Sequence, residues 1–264
     1  MSARSLVRRA AAVADRLLPT PEGLVVLIYH RVGGGSDSAV DLPVATFRTQ
    51  MEWLAERHAV LPLATAVDAL RRGERPTGVV ITFDDGAADF CDHAVPVMRD
   101  LQLPSTLYLV TSAPDAGELP WGVPAVSWSA LRDAAADGLV DVQSHTHRHT
   151  LLHHTSAIAT ADELDRSIAA IADELGHTPA HFAYPKAAPG NRAARAAVAA
   201  RFQSAALAGH RVNTSARHLQ SLGRVPISRG DSLDAFAAKA AGGFRVEGIA
   251  RHLYGRIRYR KAIT

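Results

Sequence analysis

At 264 residues, 47% hydrophobic and 21% charged, the chain can bury one large core or two small ones and is too apolar to be disordered. Its formal charge of +3 singles out no class of partner, and one cysteine, Cys91, excludes an internal disulfide and fits a reducing compartment. No apolar run is long enough for a transmembrane helix. Residues 1–22 lack an uninterrupted apolar stretch, so no cleaved signal peptide is expected. They predict instead an amphipathic helix, with Leu6, Val13 and Leu17 on one side, that packs on the domain or lies on a membrane surface, packing being the favoured reading. Short apolar, β-branched runs follow: "LVVLIYH" from Leu24, "GVVITFDD" from Gly78, "STLYLVT" from Ser105, "LVDVQSH" from Leu139, "HFAYP" from His181, "QSAALA" from Gln203 and "RVPIS" from Arg224. Between them lie helical runs at Thr46–His58, Thr65–Arg72, Ala88–Leu101, Trp128–Asp137, Thr160–Leu175 and Asn191–Arg201. Cys91 falls in one of these and reads as a small buried hydrophobe, not a nucleophile. Residues 246–264 are expected to form a basic helix or tail.

This alternation predicts a parallel sheet within an α/β fold. The number of units favours a closed barrel over residues 23–245, a single domain, against an open doubly wound sheet. No glycine-rich phosphate loop follows the first strand, which counts against a dinucleotide. Arginines cluster at both ends: Arg4, Arg8, Arg9 and Arg16, then Arg251, Arg256, Arg258 and Arg260 beside Lys261. They are solvated helix faces or contacts to an anionic surface. No zinc-finger, RRM or helix-turn-helix signature accompanies them, so nucleic acid is not expected as a partner.

Polar residues gather at the strand ends. One strand ends in Tyr29-His30, another in Asp84-Asp85-Gly86, a third in His145-Thr146-His147-Arg148-His149, and a fourth in Tyr184-Pro185. In a parallel barrel these ends open onto one face. Adjacent aspartates repel there. A divalent cation relieves the repulsion, with one carboxylate as ligand and the other free as a base; a plain Asp-Gly turn is the alternative. His145 lies at a strand end and His149 one turn later. His147 points away from both, and His153 and His154 are peripheral. Asp85, His145 and His149 thus offer three ligands with open positions, the makeup of a catalytic zinc site.

"TFDDG" (Thr82–Gly86), followed by "SHTHRH" (Ser144–His149), resembles the first two motifs of the polysaccharide deacetylase, or NodB-homology, family. "LIYHRV", "STLYLV", "WSALRDAAADGLVDVQSHTH" and "HFAYP" extend the likeness to a branch found in bacterial polysaccharide biosynthesis, over roughly Leu24 to Phe236. The resemblance implies a distorted (β/α)7 barrel and a metal-dependent N-deacetylase. Asp84 is then the general base acting on a metal-bound water. Asp85, His145 and His149 hold Zn2+ or a similar divalent ion, and the backbone N–H of Tyr184 supports the oxyanion. Thr146 either braces the second motif or is a plain surface residue.

Two departures stand out. The family's third motif carries an arginine that orients the base. None precedes Tyr184 here, and Arg224 is the candidate to supply the charge from another strand. The family's late leucine–x–histidine motif, which supplies the general acid, is missing from its place, and His252 falls in the wrong order. His30 is the first substitute and His210 the second. The implied substrate is an N-acetylated glycan or a lipid-linked sugar. The alternatives are a deformylase or O-deacetylase on a lipid-linked sugar, and a glycan-binding module that kept its metal and lost turnover. The expected location is cytoplasmic, with peripheral contact at the inner membrane face through the basic ends.

Overall fold

A computed structural model describes residues 22–243. The expected N-terminal helix, up to residue 21, and the basic tail lie outside the described residues. Seven parallel strands close into a barrel: β1 (Leu24–Tyr29), β4 (Gly78–Asp85), β5 (Ser105–Leu109), β6 (Val140–Ser144), β7 (His181–Ala183), β8 (Ser204–Ala208) and β9 (Leu222–Pro226), with β9 pairing back onto β1. This is the expected (β/α)7 barrel, and the open sheet is excluded. Two short strands, β2 (Arg31–Val32) and β3 (Asp41–Leu42), pair beside it.

The helices α1 (Val44–Arg57), α2 (Leu63–Arg71), α3 (Val95–Asp100), α4 (Ala113–Ala116), α5 (Trp128–Ala135), α6 (Ala157–Leu175), α7 (Arg192–Arg201) and α8 (Leu233–Ala240) accompany the strands. A π-helical turn, Phe90–Ala94, leads into α3. Several helices begin on side-chain caps: Ser127, Ser156, Asn191 and Ser232 each accept from the backbone N–H three residues on, satisfying donors the helix cannot. Among the described residues, no helix is long and apolar enough to cross a membrane.

Strand alternation sorts the side chains. Val79, Ile81 and Phe83 of β4 join a core beneath the helices that also holds Val25, Leu27, Val142 and Val225. Leu24, Val26, Val80, Tyr108, Ala183, Ala206 and Leu222 meet in a separate cluster inside the barrel, and Leu63, Ala66, Val67 and Leu70 of α2 pack against it. Helix α2 therefore seals the N-terminal end. The opposite end is left as the mouth, and strands apolar on both faces read as continuous apolar runs.

Candidate metal and catalytic centre at the barrel mouth

Alternation also aims the polar residues. In β4 the inward residues are Val80, Thr82 and Asp84; in β6 they are Asp141 and Gln143, and the next inward position is His145. Asp85, one residue past Asp84, belongs by alternation to the outer face. Its φ of +78° breaks the strand, and its carboxylate comes to lie 3.5 Å from His145 Nε2 and 3.4 Å from His149 Nε2. Thr146 and His149 also have positive φ, as do Lys186 and Ala187 after β7. Left-handed backbone at residues with a Cβ costs energy, and here it is gathered in the loops around one site.

The donor set fits a divalent cation. Asp85, His145 and His149 offer ligand atoms all within 4.8 Å of one another. The Nδ1 of His145 lies 2.8 Å from the Ala183 carbonyl. That nitrogen donates, so Nε2 presents its lone pair toward Asp85, the second-layer hydrogen bond typical of a ligating histidine. Burial works against a charge on His145, but Asp84 and Asp85 hold its pKa above the ordinary value. Burial and the neighbouring His145 push His149 down to about 4. The aspartates thus attract one positive charge into a pocket with two imidazoles available to share it.

The other histidines of this stretch lie elsewhere. His147 Nδ1 bonds Thr111 Oγ1 at 3.0 Å, and the His153 and His154 rings contact each other, 3.9 Å between centroids. Thr146 is buried, and its hydroxyl accepts from the Thr150 N–H at 3.1 Å. That bond braces the loop between the two histidine ligand candidates.

Asp84 is held by Arg224. The guanidinium donates from Nη1 to Oδ1 at 2.6 Å and from Nη2 to Oδ2 at 2.8 Å, a bidentate fork. Arg224 is fully buried, also donates to Thr82 Oγ1, and lies over the Tyr108 ring. Burial raises the Asp84 pKa, but Arg224, then His145 and His30, bring it down to about 2. The charge missing from the third motif therefore comes from β9. His30 sits directly past β1, where it acts electrostatically on both Asp84 and Asp85, and among the described residues its Nδ1 has no hydrogen-bond partner. His210 is buried just past β8.

Tyr184 carries the expected oxyanion donor. Its N–H already donates to the Ala206 carbonyl at 3.1 Å, as part of the barrel ladder, and its side chain is buried with Phe182 in an outer cluster. The turn beyond Tyr184 spans Pro185–Ala187. There Lys186 adopts a φ of +53° and its charge reaches His149. Sequence reasoning also missed Trp121, whose ring meets that of His149 at a centroid distance of 5.0 Å. A lone tryptophan in "LPWGV" has no periodicity to betray it.

The sequence pattern of the polysaccharide deacetylase family matches residues 71–205, which contain Asp84, Asp85, His145 and His149. YxkH of Bacillus subtilis (strain 168), whose name places it in the same family, is 24% identical over 221 residues, spanning 83% of this chain and 76% of its own. The poly-β-1,6-N-acetyl-D-glucosamine N-deacetylase of Escherichia coli (strain K12) is 30% identical over 156 residues; the match takes in 52% of this chain and only 22% of that protein. The structure of IcaB from Ammonifex degensii superposes with a TM-score of 0.74 at 26% identity, covering 84% of this chain and 98% of that one. The chain belongs to the polysaccharide deacetylase family and is a hydrolase of that type, acting on carbon–nitrogen bonds other than peptide bonds.

Proposed function

We propose that the protein removes N-acetyl groups from amino sugars of a polysaccharide or of its lipid-linked precursor, with a divalent ion, zinc or similar, held by Asp85, His145 and His149. The reading rests on one observation: a buried aspartate forked by Arg224 stands directly beside a carboxylate and two imidazoles converging on one point. A bound ion there supplies Lewis acidity, polarising the acetamide carbonyl and making water more acidic. Asp84 then takes the proton from the attacking water. Arg224 keeps that carboxylate ionised and fixes both its oxygens, so the base is aimed as well as charged. His30, just past β1 and with Nδ1 unpartnered among the described residues, gives a proton to the departing sugar amine. N-deacetylation of a glycan is supported by the E. coli enzyme named for that activity. Contact with an anionic membrane face through the basic ends belongs to the same proposal and rests on the arginine clusters; cytoplasmic residence is proposed with it.

The test is acetate release from β-linked N-acetylglucosamine oligomers by zinc-loaded protein, beside Asp84→Asn. Release by wild type and its loss in the variant, with metal retained, is the expected result. Full activity in Asp84→Asn overturns the base assignment. Oligomer binding without acetate release identifies a binding module instead.

A further inference from the structure

Trp121 is nearly half exposed, at 47%, and among the described residues only Ile158 and Leu233 are other large hydrophobics left so open. Unlike them it stands at the mouth, its ring at 67° to that of His149. Such a perpendicular contact engages only an edge of one ring and leaves much of the indole open.

The segment that carries it is built to hold still. The turn Leu119–Gly122 is closed by the Gly122 N–H on the Leu119 carbonyl at 2.9 Å. Pro120 presets the backbone at its second position, and Gly122 has a φ of +76°. The flanking arms pair, Leu119 N–H to the Val123 carbonyl at 2.8 Å and Ala125 N–H to the Gly117 carbonyl at 3.1 Å. Leu119 is buried with Ala87, Val110 and Ala113. The hairpin is also tied to the stretch just after the aspartate pair: Ala88 N–H donates to the Pro124 carbonyl, and Val126 N–H to the Gly86 carbonyl. Trp121 is thus fixed relative to both Asp85 and His149.

We infer that Trp121 is a stacking platform for a pyranose ring of the substrate, placed beside the sugar whose acetamide is attacked. The inference rests on the functional reading above and extends it to substrate positioning. An N-acetylated amino sugar is uncharged, so it offers no ionic handle. It does have a face of C–H bonds, weakly positive at the hydrogens, which matches the negative face of an indole. A rigid aromatic group beside a few convergent polar groups is how small-ligand sites fix orientation.

The test uses full-length, zinc-loaded wild type, Trp121→Ala and Trp121→Phe. Each is assayed on β-linked N-acetylglucosamine oligomers of increasing length and on a small aryl acetate too short to reach the indole. Oligomer binding is read by calorimetry, and bound zinc is measured throughout. Trp121→Ala is expected to raise KM for the longer oligomers about tenfold, to flatten the gain with chain length, and to leave aryl acetate hydrolysis and zinc content unchanged; Trp121→Phe keeps most of the gain. Unchanged KM across the series overturns the inference. So does loss of zinc or of aryl acetate hydrolysis in Trp121→Ala, since the ring would then serve only to position His149. Wild type that binds oligomers but releases no acetate refutes the deacetylase reading instead. In that case loss of oligomer binding in Trp121→Ala still supports the platform, and undiminished binding, or no binding by wild type, overturns it.

Discussion

The two ends of the barrel each bury a histidine near an acid, and they treat it in opposite ways. At the mouth, His145 faces Asp84 and Asp85, and its pKa is held up despite burial. At the floor, His181 lies with Ser204 Oγ 2.9 Å from its Nδ1, and burial lowers its pKa although Asp141 and Asp68 pull the other way. Gln143 separates the groups there, accepting from the His181 N–H at 2.7 Å and donating to Asp141 at 2.8 Å. The backbone differs as well. Asp85, Thr146 and His149 sit in left-handed conformations at the mouth, whereas His181, Gln143 and Ser204 lie in regular strand. At the floor, hydrogen bonds among His181, Ser204, Gln143 and Asp141 tie neighbouring strands together. A mouth with concentrated charge and strained backbone is poised to bind a cation and do chemistry.

The largest effects should come from the mouth. Asp84→Asn keeps the shape of the side chain and removes the proposed base, so kcat for deacetylation should fall by about 10²–10⁴-fold with zinc retained; steady-state assay beside metal analysis checks it. Arg224→Met leaves Asp84 buried and unpaired, and denaturant unfolding should show a loss of about 3–5 kcal/mol. Arg224→Lys should not restore activity, because an ammonium cannot reproduce the fork. At the floor, Ser204→Ala should cost only about 1–2 kcal/mol and leave kcat per folded molecule unchanged. A fall in kcat there without loss of stability would erase the distinction between the two ends. The smallest effect belongs to the outer shell. Cys91 lies in the π-helical turn, where burial pushes its thiol up to about 12. Alkylation at neutral pH should be negligible in the folded protein and rapid once it is unfolded.

Much of this was legible in the residues. All seven barrel strands announce themselves as apolar runs because helices cover their outer faces, and the aspartate and histidine motifs fall at their ends. Helices α4 and α8 and strands β2 and β3 escaped: both helices are short, and two-residue strands carry no period. Within the site, alternation says that Asp84 and Asp85 point to opposite faces, and only the φ of +78° at Asp85 brings both to the mouth. Arg224 lies 140 residues from Asp84 in sequence, so closure of the barrel, not any local pattern, makes their fork. For Tyr184, the motif names the residue without saying that its N–H also pairs in the sheet.

The most direct test is bound metal per chain after zinc is offered and excess removed, for wild type, His145→Ala and His147→Ala. Zinc near one per chain in wild type and His147→Ala, with loss in His145→Ala, is the result expected if Asp85, His145 and His149 hold the ion. Equal zinc in all three, or none in any, contradicts a metal centre at the mouth of this barrel.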